Sequence, residues 1–461
     1  MSQYVAESGT PVSIESYEQL VGYFEQSCKP RADWRIGTEY EKVAVWAANG
    51  HAVPFTDGIE VILKGLADQF GWEPIVEAGR VIALHGSGAS ITLEPGGQLE
   101  LSGEVCDSVH GTAAEFTEHV RQIVTVSDPL GIKFLGLGMQ PLSRLAEIEW
   151  VPKRRYGIMG PYMLQVGTLG QRMMKQTATV QVNIDYDSER DAMTKLRVGM
   201  GIAPLLTAIF ANSPISDGDL NGYLSFRGHI WTDTDAARCG LLPFVFNPSC
   251  GFTDYTEYAL DVPMYFIVRG DRWTDMTAFT FRRFWNEGYR GERATLADWV
   301  AHLTTLFPEF RLKGYIEARS IDSQAPERML AAPAMIKGLF YDADCLQAAW
   351  DLVKRSSWEE RLDLYHAVHR QALRARMGRI EVRELAWELL RIAESGLERQ
   401  HQVNAAGDNE ACYLERVRED VGRGRCPADT IIERWKGTWN REPLRLVTGT
   451  AYAKDSARSG Q

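Results

Sequence analysis

Apolar positions three and four apart recur in Tyr17, Leu20, Val21 and Phe24, and this spacing predicts a helix over 14–28 with Ser16 as its cap. The same period runs through 57–70 and through 112–128, where Phe116, Val120, Ile123 and Val124 form one stripe. Between these stretches the period changes to two, which predicts strands over 35–46, 91–102, 177–186, 263–269 and 314–321. From about Asp342 onward the pattern is almost wholly helical. The longest uncharged run, 198–216, reads as a buried helix ending near Ala211. Pro204, Asn212, Ser213 and Pro214 interrupt it and no positive flank follows, so a membrane span is not expected. Non-consecutive strands joined by long helical connections make the expected class α+β.

The strands carry charge where a core strand would carry none. Residues two apart share a face, so Glu39 and Glu41 project together, as do Gln98 and Glu100. Glu94 joins the latter pair if Gly96 and Gly97 form a bulge and not a reversal. In 177–186 one face is Ala178, Val180, Val182, Ile184 and Tyr186, and the other is Thr177, Thr179, Gln181, Asn183 and Asp185. Glu317 and Arg319 again share a side. One wet face of a sheet accounts for any single strand of this kind. Paired carboxylates in otherwise apolar runs ask for more, because buried like charges repel and cost several kcal/mol each when unpaired. A cation is expected among them. Ligands that are all oxygen point to Mg²⁺, with Mn²⁺ as the alternative, and away from zinc; Mg²⁺ sites commonly include substrate phosphates.

Composition narrows the partners. The chain has 461 residues with Lys+Arg 50 against Asp+Glu 61, a net charge of −11 without a basic block, so a nucleic-acid partner is not expected. Its 45% hydrophobic and 24% charged residues exclude disordered and collagen-like classes. Seven cysteines at irregular spacing, without C-x-x-C, read as free thiols. With an N-terminus that lacks a basic start and an apolar stretch, this predicts a cytoplasmic protein without a membrane anchor.

The ordered motifs RIGTEYEK (35–42), LEPGGQLELSG (93–103), TATVQVNIDY (177–186), ANSPISDGDLNGYLSFRGHIWTDTD (211–235), LPFVF (242–246), YALDVPMYF (258–266) and LTTLFPEFRLKGYIEARSID (303–322) resemble glutamate–cysteine ligases of the form shared by plants and many bacteria. The resemblance implies a glutamine-synthetase-like fold: a curved, mainly antiparallel sheet forming a funnel, with helices outside and a helical C-terminal part. It implies one catalytic domain over 14–445, with a sheet-containing core at about 30–345, a helical extension at about 346–445, and tails at 1–13 and 452–461. The implied reaction joins the γ-carboxylate of L-glutamate to L-cysteine through γ-glutamyl phosphate, with ATP as co-substrate and Mg²⁺. By the same resemblance Glu39, Glu41, Glu94, Glu100 and Glu317 are metal ligands. Arg227 and Arg319 contact glutamate or the transferring phosphoryl group and are the catalytic pair. Gln181 and Asn183 lie near metal and phosphate, while Tyr265 and Trp231 line the acceptor pocket. The oligomeric state stays open between a monomer and a weak homodimer. Two other readings also stay open: the same scaffold with another amine acceptor, and a catalytically silent binding relative.

The sequence departs from its relatives at several positions. Met276 and Gly291 stand where plant relatives carry one regulatory cysteine pair, Gln176 stands in place of a frequent arginine, and Tyr40, turned away from Glu39 and Glu41, replaces a frequent histidine. Other features carry less. H-G-S-G-A-S (85–90) lacks a full phosphate-loop pattern and reads as a hairpin or lid. D-Y-D-S-E-R-D (185–191) has Arg190 where a calcium loop needs glycine and reads as a strand end and helix cap. His366 and His369 read as surface residues, Trp34, Trp46, Trp72 and Trp299 as packing, and Arg154 and Arg155 as either solvated or phosphate-facing.

Overall fold

The computed structural model describes residues 12–454, so most of the expected tails lies outside the described residues. Nine strands form one sheet: β1 (Ile36–Trp46), β2 (Glu73–Glu77), β3 (Arg80–His85), β4 (Ser90–Leu93), β5 (Leu99–Ser102), β6 (Ile132–Leu135), β7 (Thr179–Ile184), β8 (Phe310–Leu312) and β9 (Ile316–Asp322). Their order is β8-β9-β7-β1-β5-β4-β3-β2, with β6 paired to the far half of β1, and every pairing in this sheet is antiparallel. Two of the expected strands differ. The stretch 91–102 is a hairpin: the Glu94 N–H bonds the Gln98 carbonyl at 2.9 Å, the Gly97 N–H bonds the Glu94 carbonyl at 2.9 Å, and Gly97 takes φ +84°, which reverses the chain. The stretch 263–269 contributes Phe266–Arg269, which pairs with Arg272–Asp275 in a separate two-stranded unit. Alternation over one strand cannot say which sheet the strand joins.

The helices cover the sheet's apolar face. They include α1 (Tyr17–Gln26), α2 (Glu60–Phe70), α3 (Val109–Ser127) and α4 (Glu189–Ile209), followed by α5 (Phe226–Trp231), α6 (Ala331–Phe340), α7 (Trp358–Gln371) and α8 (Val382–Gln400). Ser188 caps α4, its hydroxyl accepting the Asp191 N–H, so D-Y-D-S-E-R-D is a strand end and a cap as expected. The long uncharged run becomes α4. It is the one described helix long and apolar enough to cross a membrane, and 89% of its apolar window is buried inside the protein. Tyr40, Val180, Val182, Ile184, Ile316 and Ala318 point into this helical layer and belong to the main core. Tyr40 meets the Phe116 ring of α3 at 4.8 Å, on the opposite side from Glu39 and Glu41. C-terminal helices join the same core: α8 packs on α6, and Lys337 of α6 forms a buried ion pair with Glu410 at 2.7 Å.

Candidate active site

Antiparallel register aligns the polar face. Glu41 sits opposite Glu100, Glu39 opposite Gln181, Glu317 opposite Asn183 and Arg311 opposite Glu317. Directly opposed residues share a face. A single surface across β5, β1, β7, β9 and β8 therefore carries carboxylates at one end, amides in the middle and guanidinium groups at the other.

At the acidic end Glu41, Glu94 and Glu100 each place a carboxylate oxygen within 4.8 Å of the others. Glu94 arrives by the route that β-hairpin geometry supplies. Because the chain reverses at Gly97, Glu94 stands at the hairpin turn beside Glu100, so the reversal serves where a bulge was required. Glu100 accepts from Thr92 Oγ1 at 3.0 Å and from Ser102 Oγ at 2.7 Å. Glu41 accepts the Thr179 N–H at 2.9 Å and faces Gln181 Nε2 at 3.5 Å. Burial pushes the Glu100 carboxyl up to about 7, with Glu39 and Glu94 adding repulsion. Burial likewise raises Glu41 well above the carboxylate range, reinforced by Glu94 and Glu100. These oxygens fit a hard divalent cation, which would supply the positive charge whose shortage the raised values express.

Glu317 lies apart from this trio. Its carboxylate is fully buried and held by Arg311 at 2.5 Å, Arg319 at 2.8 Å and Lys313 at 2.9 Å. The three cations keep it ionised well below the usual range, against the burial that acts to raise it. Arg319 also donates to Gln181 Oε1, and its guanidinium lies 5.6 Å from the Trp231 ring and 5.5 Å from Phe307. Asn183 Nδ2 donates to Glu39 at 3.1 Å, closing the row between the poles.

Arg227 enters from α5. Its Nη2 donates to the Arg319 carbonyl at 2.8 Å, its Nη1 lies 3.8 Å from Asp322, and its backbone N–H donates to Ser213 Oγ at 3.0 Å. Asp322 is itself buried and accepts from Asn212 N, Ser213 Oγ and Ser225 Oγ at 2.7–2.9 Å. The aromatic expectations fall differently. Trp231 stands against Arg319, with its Nε1 buried and without a hydrogen-bond partner. Tyr265 is packed under Arg238, whose Cζ is 4.1 Å from its ring, and against Tyr162 at 5.3 Å.

Sequence reasoning passed over several residues here. Lys153, buried with its Nζ on the Leu93 carbonyl at 2.8 Å, is drawn down to about 7 by burial, with Arg155 lowering it further and Glu94 and Glu100 opposing. Arg311, Lys313 and Asp322 lie inside a quoted motif, yet the Gly314 turn interrupts the count for the first two, and a register shift between Ala318 and Ile321 interrupts it for Asp322. His369 corrects the surface reading: it is 1% exposed, because its ring packs edge-on to Tyr365 at 5.1 Å under α5. Arg154 bonds the Asp271 carbonyl and the Glu77 carboxylate, away from the polar face. The 85–90 segment is the hairpin between β3 and β4, as expected.

The glutamate-cysteine ligase family 2 (GCS2) model matches residues 35–449. Chloroplastic glutamate–cysteine ligase B of Oryza sativa subsp. japonica is 44% identical over 427 residues, covering 92% of this chain and 85% of that protein. The chloroplastic glutamate–cysteine ligase of Arabidopsis thaliana is 43% identical, covering 92% and 80%. Among solved structures, a glutamate–cysteine ligase from Francisella tularensis in complex with AMP is similar in fold, with TM-score 0.56, 14% identity, and 92% and 89% coverage. These relatives overturn the cytoplasmic expectation, since the curated ones are chloroplastic. Free thiols do not distinguish one reducing compartment from another.

Proposed function

The chain belongs to glutamate-cysteine ligase family 2, and on that premise we propose how its polar sheet face joins L-glutamate to L-cysteine to make γ-glutamylcysteine. The observation that carries the reading is the division of one face into a carboxylate end and a guanidinium end. The γ-carboxylate of glutamate is a poor electrophile; its attack on the γ-phosphate of ATP, with ADP leaving, converts it to an acyl phosphate. Glu41, Glu94 and Glu100 would hold Mg²⁺, with Mn²⁺ as the substitute, and Glu39 extends the acidic rim, while Glu317 anchors Arg311 and Arg319 at the far end. When bound, the ion neutralises charge on phosphate oxygens. Lys153, drawn down to about 7 by burial, adds a hydrogen-bond donor at that end. Arg227 and Arg319 orient glutamate, and their planar donors match carboxylate or phosphoryl oxygens in pairs. Gln181 and Asn183 hold Glu41 and Glu39 in place. The cysteine amine then attacks the acyl carbon, the oxyanion forms beside Arg227 or Arg319, and phosphate leaves. Trp231 walls the acceptor side, and Tyr265 supports Arg238 and Tyr162 deeper in the fold. We read residues 14–445 as one catalytic unit, because the C-terminal helices share the sheet's core.

Phosphate release measured with ATP, glutamate and each amino acid in turn tests this reading. Release that needs glutamate and cysteine together supports it. Preference for another amine identifies a different acceptor, and ATP turnover indifferent to both amino acids removes the ligase assignment.

Two further outcomes follow. A carboxyl raised in the folded chain contributes stability that is full below its ordinary value of 4.5 and is lost as pH rises towards its folded value, about 7 for Glu100. A divalent ion replaces the protons, so added magnesium should raise the melting temperature more at pH 8 than at pH 6. Thermal unfolding with and without magnesium at the two pH values checks this, and an equal or larger rise at pH 6 contradicts it. The seven cysteines are all free, and the resemblance puts Met276 and Gly291 where plant relatives carry one regulatory pair. Activity should therefore be the same before and after dithiothreitol, and a clear loss on reduction would refute the missing switch.

A further inference from the structure

Arg361, on α7, is 6% exposed and has no acidic partner among the described residues. Its Nη2 donates to the Val353 carbonyl at 2.7 Å, while the buried Nη1 has no hydrogen-bond partner. The neighbouring Glu360 is occupied at the helix start, accepting the Ser357 N–H at 2.9 Å. Burial accordingly pulls Arg361 below its ordinary value. What surrounds the guanidinium is aromatic: its Cζ lies 4.4 Å from the Phe246 ring and 5.5 Å from Trp350, and those two rings stack at 6.3 Å with 19° between their planes. Ring faces attract a cation only weakly, whereas a buried charge without a counter-ion carries a penalty several times larger.

The same residues line a half-open cleft of about 210 Å³, together with Pro243, Lys354, Ser356 and Trp358. That volume is below the usual range for drug-sized ligands and suits a single ring with one small substituent. Flat aromatic walls select a planar body and Arg361 selects negative charge, with Lys354 at the rim, where its Nζ is shared with Asp351 at 2.7 Å. The position adds a consequence. Arg361, Tyr365 and His369 follow one another at four-residue steps along one face of α7. Tyr365 Oη donates to Glu309 Oε1 at 2.7 Å, and the Glu309 carbonyl accepts the Arg319 N–H at 3.0 Å. The His369 carbonyl accepts the N–H groups of Leu224 and Ser225, which lead into Arg227. One rigid helix thus touches both the cleft and the supports of the two arginines.

We propose that this cleft is a regulatory site for a small aromatic carboxylate, read out through α7 at the arginine end of the sheet. It is separate from the ligase site, and only the second measurement below uses the ligase reading. Benzoate is the probe. Calorimetric titration of the full chain should give saturable binding that persists in saturating glutamate, at least tenfold tighter than benzyl alcohol, its neutral counterpart. Arg361→Met should weaken benzoate binding about tenfold or more, the loss of a charge-assisted pair. Lys354→Gln, at the exposed rim, should weaken it severalfold and decides the matter if the Arg361 variant does not fold. Saturating benzoate should also shift KM for glutamate in the parent chain, and the shift should vanish in the variant that no longer binds benzoate. Absence of saturable binding at millimolar benzoate, equal binding of benzyl alcohol, competition with glutamate or an unmoved KM each overturns the proposal. An unchanged titration alongside absent ligase activity would instead point to a failure of the functional reading alone.

Discussion

Replacing Arg319 by alanine should lower ligase turnover by about a hundredfold or more, the range found when a donor aimed at developing negative charge is removed. The expectation rests on how completely Arg319 is placed. It bonds Glu317 and Gln181, its backbone N–H bonds the Glu309 carbonyl at 3.0 Å, and Trp231 and Phe307 hold its plane. Lysine at this position should recover little, because a single ammonium cannot reproduce the two-pronged geometry. Steady-state phosphate release, with thermal unfolding to verify folding, is the measurement. Near-parental turnover in the alanine variant would remove Arg319 from the chemistry.

Exchanging Glu41 for glutamine should cost about a hundredfold or more in turnover at a fixed, low magnesium concentration, since it removes one of three converging charges that would hold the ion. Excess magnesium should restore part of the loss. The amide keeps the shape, and its carbonyl oxygen can still accept the Thr179 N–H that Glu41 takes at 2.9 Å, so the fold should survive. The sign on stability is the opposite of that on activity: with burial and the repulsion of Glu94 and Glu100 relieved, the metal-free variant should melt higher than the parent above pH 7. A magnesium titration of activity and a metal-free melting curve test both halves. Unchanged magnesium dependence would take Glu41 out of the metal set.

The site was legible to the extent that it lies on regular strands. Glu39, Glu41, Gln181, Asn183, Glu317 and Arg319 could be put on faces by counting in twos, and the sheet places them on one surface. Counting failed at turns. Gly97 reversed a stretch that reads as one strand, and Gly314 hid Arg311 and Lys313, although both reach Glu317. Lys153 stands just ahead of a helix, where no periodicity applies. His369 looked solvated because its polarity was weighed without the α5 segment that covers it.

Sequence alone determined the alternation that gives each strand an apolar and a charged side, the caps and breakers that bound the helices, and the ordered motifs that carry the family. All of these are properties of neighbours along the chain. Only the tertiary structure decided which carboxylates meet, that Glu317 is clamped by three cations while Glu41, Glu94 and Glu100 crowd together, and that Asp322 steadies Arg227. Coulomb energy depends on distance and on the surrounding medium, and both are set by strand register and burial between segments far apart in the chain.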